Sequence, residues 1–72
     1  PPPPKPEPRK KMAIGDPVIG ISRMSDFRVV GTFDGTIKVE VDPGVDRTMF
    51  WVKDEDGDRY RFFPREVRTR QP

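Results

Sequence analysis

The densest group of chemically capable side chains is the stretch DEDGD, in which Asp54, Asp56 and Asp58 stand at spacings of two. Alternating carboxylates of this kind suit a calcium loop, but an EF-hand also requires a glycine at its sixth position and a bidentate glutamate at its twelfth. Counted from Asp54, Gly57 is fourth, Arg59 is sixth and Arg65 is twelfth, so the stretch reads as an acidic hairpin turn. Ser22 and Ser25 have no histidine to activate them, a lysine base would need burial, and the chain has no cysteine either. That composition also removes disulfides, thiolate nucleophiles and the usual zinc ligand sets. Paired-carboxylate catalysis needs a concave, partly dry site. The carboxylates here fall in or beside predicted turns or on predicted wet strand faces, and the glycines stand singly, without a phosphate-cradling loop before a helix. The expectation is a protein that is not an enzyme, with no catalytic residues, no metal site and no cofactor.

The elements that would position these residues are strands. From Ile14 onward, short β-branched and aromatic runs alternate with turn residues at intervals of about ten, the spacing of a small sandwich or barrel. Val18 to Arg23 reads as a first strand, Ser22 to Asp26 as a loop and Phe27 to Phe33 as a second strand. Asp34-Gly35 then stands between FRVVGTF and TIKVEVD, and this dipeptide favours a two-residue hairpin turn. Beyond it Ile37, Val39 and Val41 alternate with Lys38, Glu40 and Asp42, which predicts one buried and one wet face. Pro43-Gly44 ends that strand, with a loop to Arg47. Thr48 to Lys53 and Asp58 to Phe63 form a hairpin around DEDG, Pro64 to Glu66 suits a single 3₁₀ turn, and Val67 to Arg70 adds a last short strand.

Seventy-two residues allow one domain with a thin core. The opening PPPPKPEP has six prolines in eight residues and is expected to be a disordered, extended arm, basic through Arg9, Lys10 and Lys11. Residues 1–12 are therefore assigned to a linker-like arm and 13–70 to the folded unit. The net charge of +2 conceals a segregation: residues 1–12 carry four positive and one negative charge, 13–58 five and ten, and 59–72 five and one. Basic ends fit an acidic partner or solubility alike. No apolar run approaches the roughly eighteen residues of a membrane span and no signal-type apolar region follows the basic residues, so a soluble chain without membrane association is expected. Compartment and oligomeric state are left open.

The stretch WVKDEDGDRYRFFPREV, from Trp51 to Val67, resembles the C-terminal half of SH3 domains: a Trp opens a strand, a Gly-containing turn follows, and a Phe-Pro step leads through a 3₁₀ turn into the last strand. Gly15-Asp16 matches the Gly-Asp that often opens a strand in this superfamily. The resemblance implies an all-β, five-stranded SH3-like barrel acting as a protein-interaction module. By the same resemblance Trp51 and Pro64 line a peptide groove, and Tyr60 or Phe63 extends it. Departures are the absence of an Ala-Leu-Tyr-Asp-Tyr-like segment and Val67 at the place of a groove tyrosine. Strand alternation independently turns Tyr60 and Phe62 inward and leaves Trp51 on the face of a lysine. The alternative reading is a nucleic-acid module, with Arg59, Arg61, Arg65, Arg68 and Arg70 forming a basic stripe beside Arg9, Lys10 and Lys11. A third is a structural subunit docking a larger enzyme complex.

Overall fold

The computed structural model describes residues 12–70. The protein is all-β: five antiparallel strands make one sheet in the order β4-β3-β2-β1-β5. They are β1 (Pro17–Ile21), β2 (Arg28–Asp42), β3 (Val45–Lys53), β4 (Arg59–Phe62) and β5 (Val67–Thr69), with a 3₁₀ turn, η1 (Pro64–Glu66), between the last two. Among the described residues no helix is long and apolar enough to cross a membrane.

The core consists of Val18, Val29, Phe33, Val52, Phe62 and Val67, with Met12, Phe50 and Tyr60 packed against it. Met12, assigned to the arm from sequence, therefore belongs to the folded unit. Each strand contributes at least one of the six core side chains, because inward residues recur every second position. The sheet curls over its concave side. The Phe62 ring of β4 lies over Gly20 of β1, where an added Cβ would meet it at 2.5 Å. At Gly31 an added Cβ would run into the Lys53 carbonyl oxygen, because the backbone at the end of β3 lies directly against β2 beside the Thr32–Lys53 pair.

Asp34-Gly35 is not a hairpin turn. Strand β2 runs straight through it, and the register passes from Phe33↔Val52 to Thr36↔Phe50, leaving Asp34 and Gly35 opposite Trp51 alone. This is a β-bulge, with Gly35 at a φ of 100°. The propensity of Asp-Gly for positive φ is satisfied in either setting, which is why the dipeptide did not distinguish them. The hairpin lies at Pro43-Gly44 instead, where Asp42 pairs with Val45 and Gly44 has a φ of 77°. Proline fixes φ for the first turn position and glycine supplies the positive φ of the second. Residues 45–47, expected in a loop, begin β3.

The bulge also overturns the expected burial of Ile37, Val39 and Val41. One extra residue in β2 reverses the face of the residues that follow it, and a second irregularity between Glu40 and Asp42 leaves Val41 without a register partner. Ile37 pairs with Met49 and Val39 with Arg47, on the side of β3 that bears Trp51 rather than the side that bears Phe50 and Val52. Alternation survives, since Ile37 and Val39 are half-buried between exposed Lys38 and Glu40, but Val41 is 42% exposed and none of the three enters the core.

Candidate interface at the 3₁₀ turn

The β3–β4 pairing divides the aromatic residues. Val52 faces Tyr60 and Phe50 faces Phe62 on the inner side, while Trp51 faces Arg61 and Lys53 faces Arg59 on the outer side. Trp51 is covered by cations: the Arg59 guanidinium carbon lies 4.5 Å from its ring centroid and that of Arg61 lies 5.9 Å away. Arg59 is held in addition by Asp34 at 3.6 Å, a residue that the bulge places opposite Trp51. Tyr60 packs against the core and meets Phe27 edge-on at 5.4 Å, while Phe27 stacks on Phe62 at 6.0 Å. Partial burial, and then the carboxylates of Asp54 and Asp58, raise the Tyr60 phenol above its ordinary value.

The acidic stretch closes the β3–β4 hairpin. One Asp54 carboxylate oxygen accepts the backbone N–H groups of Asp56 and Asp58, both at 2.9 Å, and the Gly57 N–H donates to the Asp54 carbonyl at 3.1 Å. Asp54 thus satisfies turn donors that would otherwise need water, a role for which Asp is suited.

The turn after β4 is held differently. Glu66, 8% exposed, accepts the Phe63 N–H through Oε1 and the Arg23 N–H through Oε2, each at 2.7 Å. The first contact is the reach-back of a capping-box acid, and the second fastens the β1–β2 loop to η1. Two hydrogen bonds this short, from two different segments to one side chain, fix those segments relative to each other.

Two open grooves flank η1. The first is lined by Met12, Ile14, Phe33, Phe50, Pro64 and Val67, with Arg65 and Arg68 at its polar margin. The second lies between η1, the β1–β2 loop and the outer part of the β2–β3 ribbon, and is lined by Arg23, Met24, Val41, Arg47 and Phe63, with Pro64 and Arg65 shared between the two. Phe63 is 39% exposed and Met24 92%.

These positions redistribute the residues singled out from sequence. Phe63 and Pro64 stand together at a groove; Trp51 and Tyr60 line neither. The aromatic residue of β3 that shares a groove with Pro64 is Phe50. The arginines separate as well. Arg59 and Arg61 are on β4 at one end of the strand order, whereas Arg68 is on β5 at the other, and Arg70 donates to the Gly31 carbonyl at 3.3 Å. Arg9, Lys10 and Lys11 lie outside the described residues. Sequence reading missed Arg23, Met24, Val41, Arg47 and Glu66. Only Glu66 had a local signal, its position three residues after Phe63; the others converge from separate segments. Among the described residues no group of three or more Asp or Glu side chains is disposed to hold a metal ion.

No family model, curated protein or solved structure matches this chain.

Proposed function

We propose that this protein is a non-catalytic protein-interaction module with an SH3-like barrel, binding its partner across the 3₁₀ turn at Phe63 and Pro64. Support for the barrel comes from the strand order, from η1 between the last two strands, and from the packing of Phe62 over Gly20, which brings β4 against β1. The observation that carries the functional reading is an apolar surface on a fixed support. Phe63 is exposed beside Pro64 on a turn that Glu66 fastens to its neighbouring loop through two short hydrogen bonds. A surface ordered before binding loses little entropy when it binds, and exposed aromatic residues are favoured anchors of interfaces. Trp51, already covered by Arg59 and Arg61, has a structural role in this reading.

The nucleic-acid reading has weaker support, because Arg59 and Arg61 lie over the Trp51 ring, Arg59 is also engaged by Asp34, and Arg70 donates to the Gly31 carbonyl. An NMR titration of the isotope-labelled protein separates the two. Proline-rich and mixed-sequence peptides, a DNA duplex and a single strand are added in turn at low and moderate salt. Shifts of the Phe63, Arg65 and Met24 amides with peptide are the expected result. Salt-steep shifts centred on Arg59, Arg61 and Arg68 with nucleic acid would replace the proposal. Silence with every ligand would favour a structural subunit.

A further inference from the structure

The second groove gathers three arginines, where the first has two. Arg23 comes from the β1–β2 loop, Arg47 from β3 and Arg65 from η1, so three segments far apart in sequence each bring an arginine to the lining of one groove. Glu66 is the acidic residue lining it, and both its carboxylate oxygens already accept backbone N–H groups. The acidic side chains of the same ribbon, Glu40, Asp42 and Asp46, do not line it, and Glu40 turns to the Gly44 N–H at 3.4 Å. Among the described residues the salt bridge is Arg59–Asp34, neither of which lines this groove, so none of the groove arginines is in an ion pair. Between them Phe63, Met24 and Val41 expose apolar surface in the same groove.

Unpaired cations around an apolar floor disfavour a basic partner by like-charge opposition and attract an acidic one. The first groove offers less. Met12 of the protein's own lead-in packs there on the core, and two arginines share it with six apolar residues. The Trp51 face offers less again, since its arginines already cover the ring and the acidic β3–β4 turn adjoins it.

From this arrangement we infer that the groove between η1, the β1–β2 loop and the β2–β3 ribbon takes an acidic peptide segment with an apolar anchor, the anchor against Phe63, Met24 and Val41 and its carboxylates toward Arg23, Arg47 and Arg65. This inference rests on the interaction-module reading and specifies its partner. The arginines act as rim charges that select and steer, and the apolar floor supplies the anchor site.

The test is a selection of randomised displayed peptides against the full chain, followed by anisotropy titration of the enriched peptides, with a single-stranded oligonucleotide as competitor. The expected winners are net acidic with an aromatic or aliphatic anchor. Combining Arg47→Glu and Arg65→Glu should weaken them by about tenfold or more. Lysine-for-glutamate versions of the same peptides should regain binding to that double variant. Circular dichroism melting confirms that the variant is folded, and single Arg47→Gln serves in its place if it is not. Winners that are neutral or basic, indifferent to charge reversal but lost in Phe63→Ala, would overturn the acidic partner and leave the interaction module standing. No enrichment, or enrichment indifferent to Phe63, would overturn both. An oligonucleotide that displaces the peptides and binds more tightly, with steep salt dependence lost in the double variant, would make nucleic acid the occupant and overturn the acidic peptide.

Discussion

At the scale of single residues, the two aromatic side chains of the β3–β4 hairpin other than phenylalanine differ in what surrounds them, and each difference is measurable. Trp51 is capped by Arg59, which is nearer than Arg61 and is also held by Asp34. An exposed cation–π contact contributes about 0.5–1 kcal/mol and an exposed ion pair up to about as much. Arg59→Ala should therefore lower urea-unfolding stability by about 1 kcal/mol, and Arg61→Ala by clearly less, with Trp51 fluorescence reporting both transitions. Tyr60 is the protein's single tyrosine, so its phenolate absorbance is unambiguous. Its ionisation in the folded state should fall above the ordinary value of 10.0, because partial burial and the Asp54 and Asp58 carboxylates oppose a phenolate there. At a pH between the unfolded and folded values the native state retains a proton that the unfolded chain has lost, so stability declines as pH rises above about 10. Tyr60→Phe should remove that part of the alkaline decline, and an unchanged slope would show that another group is responsible.

At the scale of elements, glycine positions and one buried acid decide how strands and turns meet. Gly31 and Gly44 make a controlled pair. An alanine at Gly44 meets no neighbour within 4 Å and bears only the cost of a φ of 77°, about 1 kcal/mol. At Gly31 the new methyl would be driven against the backbone carbonyl of Lys53, which side-chain rearrangement cannot relieve. Gly31→Ala should therefore cost more than about 4 kcal/mol or abolish the cooperative transition, while Gly44→Ala keeps a measurable one. Glu66→Gln should cost about 2 kcal/mol, because an amide retains one acceptor oxygen where the carboxylate served two N–H groups, and hydrogen exchange should quicken at Arg23 and Phe63. How much of the molecule was legible in its sequence follows from the same elements. Strand periodicity located β1, β4, η1 and β5 to within a residue or two, since each is short and lies between unambiguous turn residues. Asp34-Gly35 misled, because a bulge and a hairpin turn both call for positive φ and only the partner strand decides between them. The error then spread to Ile37 and Val39, whose period of two was correct but whose face depended on that one inserted residue, while Val41 falls in a second irregularity between Glu40 and Asp42.

At the scale of the whole molecule, the candidate interface was the least legible part, because Arg23, Arg47 and Arg65 become neighbours only when the β1–β2 loop, the ribbon and η1 assemble. Phe63 and Pro64 could be singled out from a local motif, whereas three arginines from three segments leave no local mark. The core has the opposite property. Its six buried side chains run from Val18 to Val67, and Met12 of the lead-in packs on it. Backbone pairing extends the same body from the Gly15 N–H, which donates to the Phe33 carbonyl at 2.9 Å, to the Arg70 N–H, which donates to Pro17 at the same distance. Apolar burial is the main favourable term in folding, and in a protein this small no second core is available to substitute for it. The six prolines of PPPPKPEP predict an extended arm, and on that expectation a chain of residues 12–70 should unfold in urea within about 0.5 kcal/mol of the full chain and with the same dependence on denaturant, since that slope follows the surface exposed on unfolding. Removing Met12 and Ala13 as well should lower stability, because Met12 leaves the core's edge and the Asp16 carboxylate loses the Ala13 N–H it accepts at 2.9 Å. If the 12–70 chain instead unfolded at markedly lower urea with a shallower slope, residues 1–11 would be burying surface in the native state, and the boundary of the folded unit would have to move toward the N-terminus.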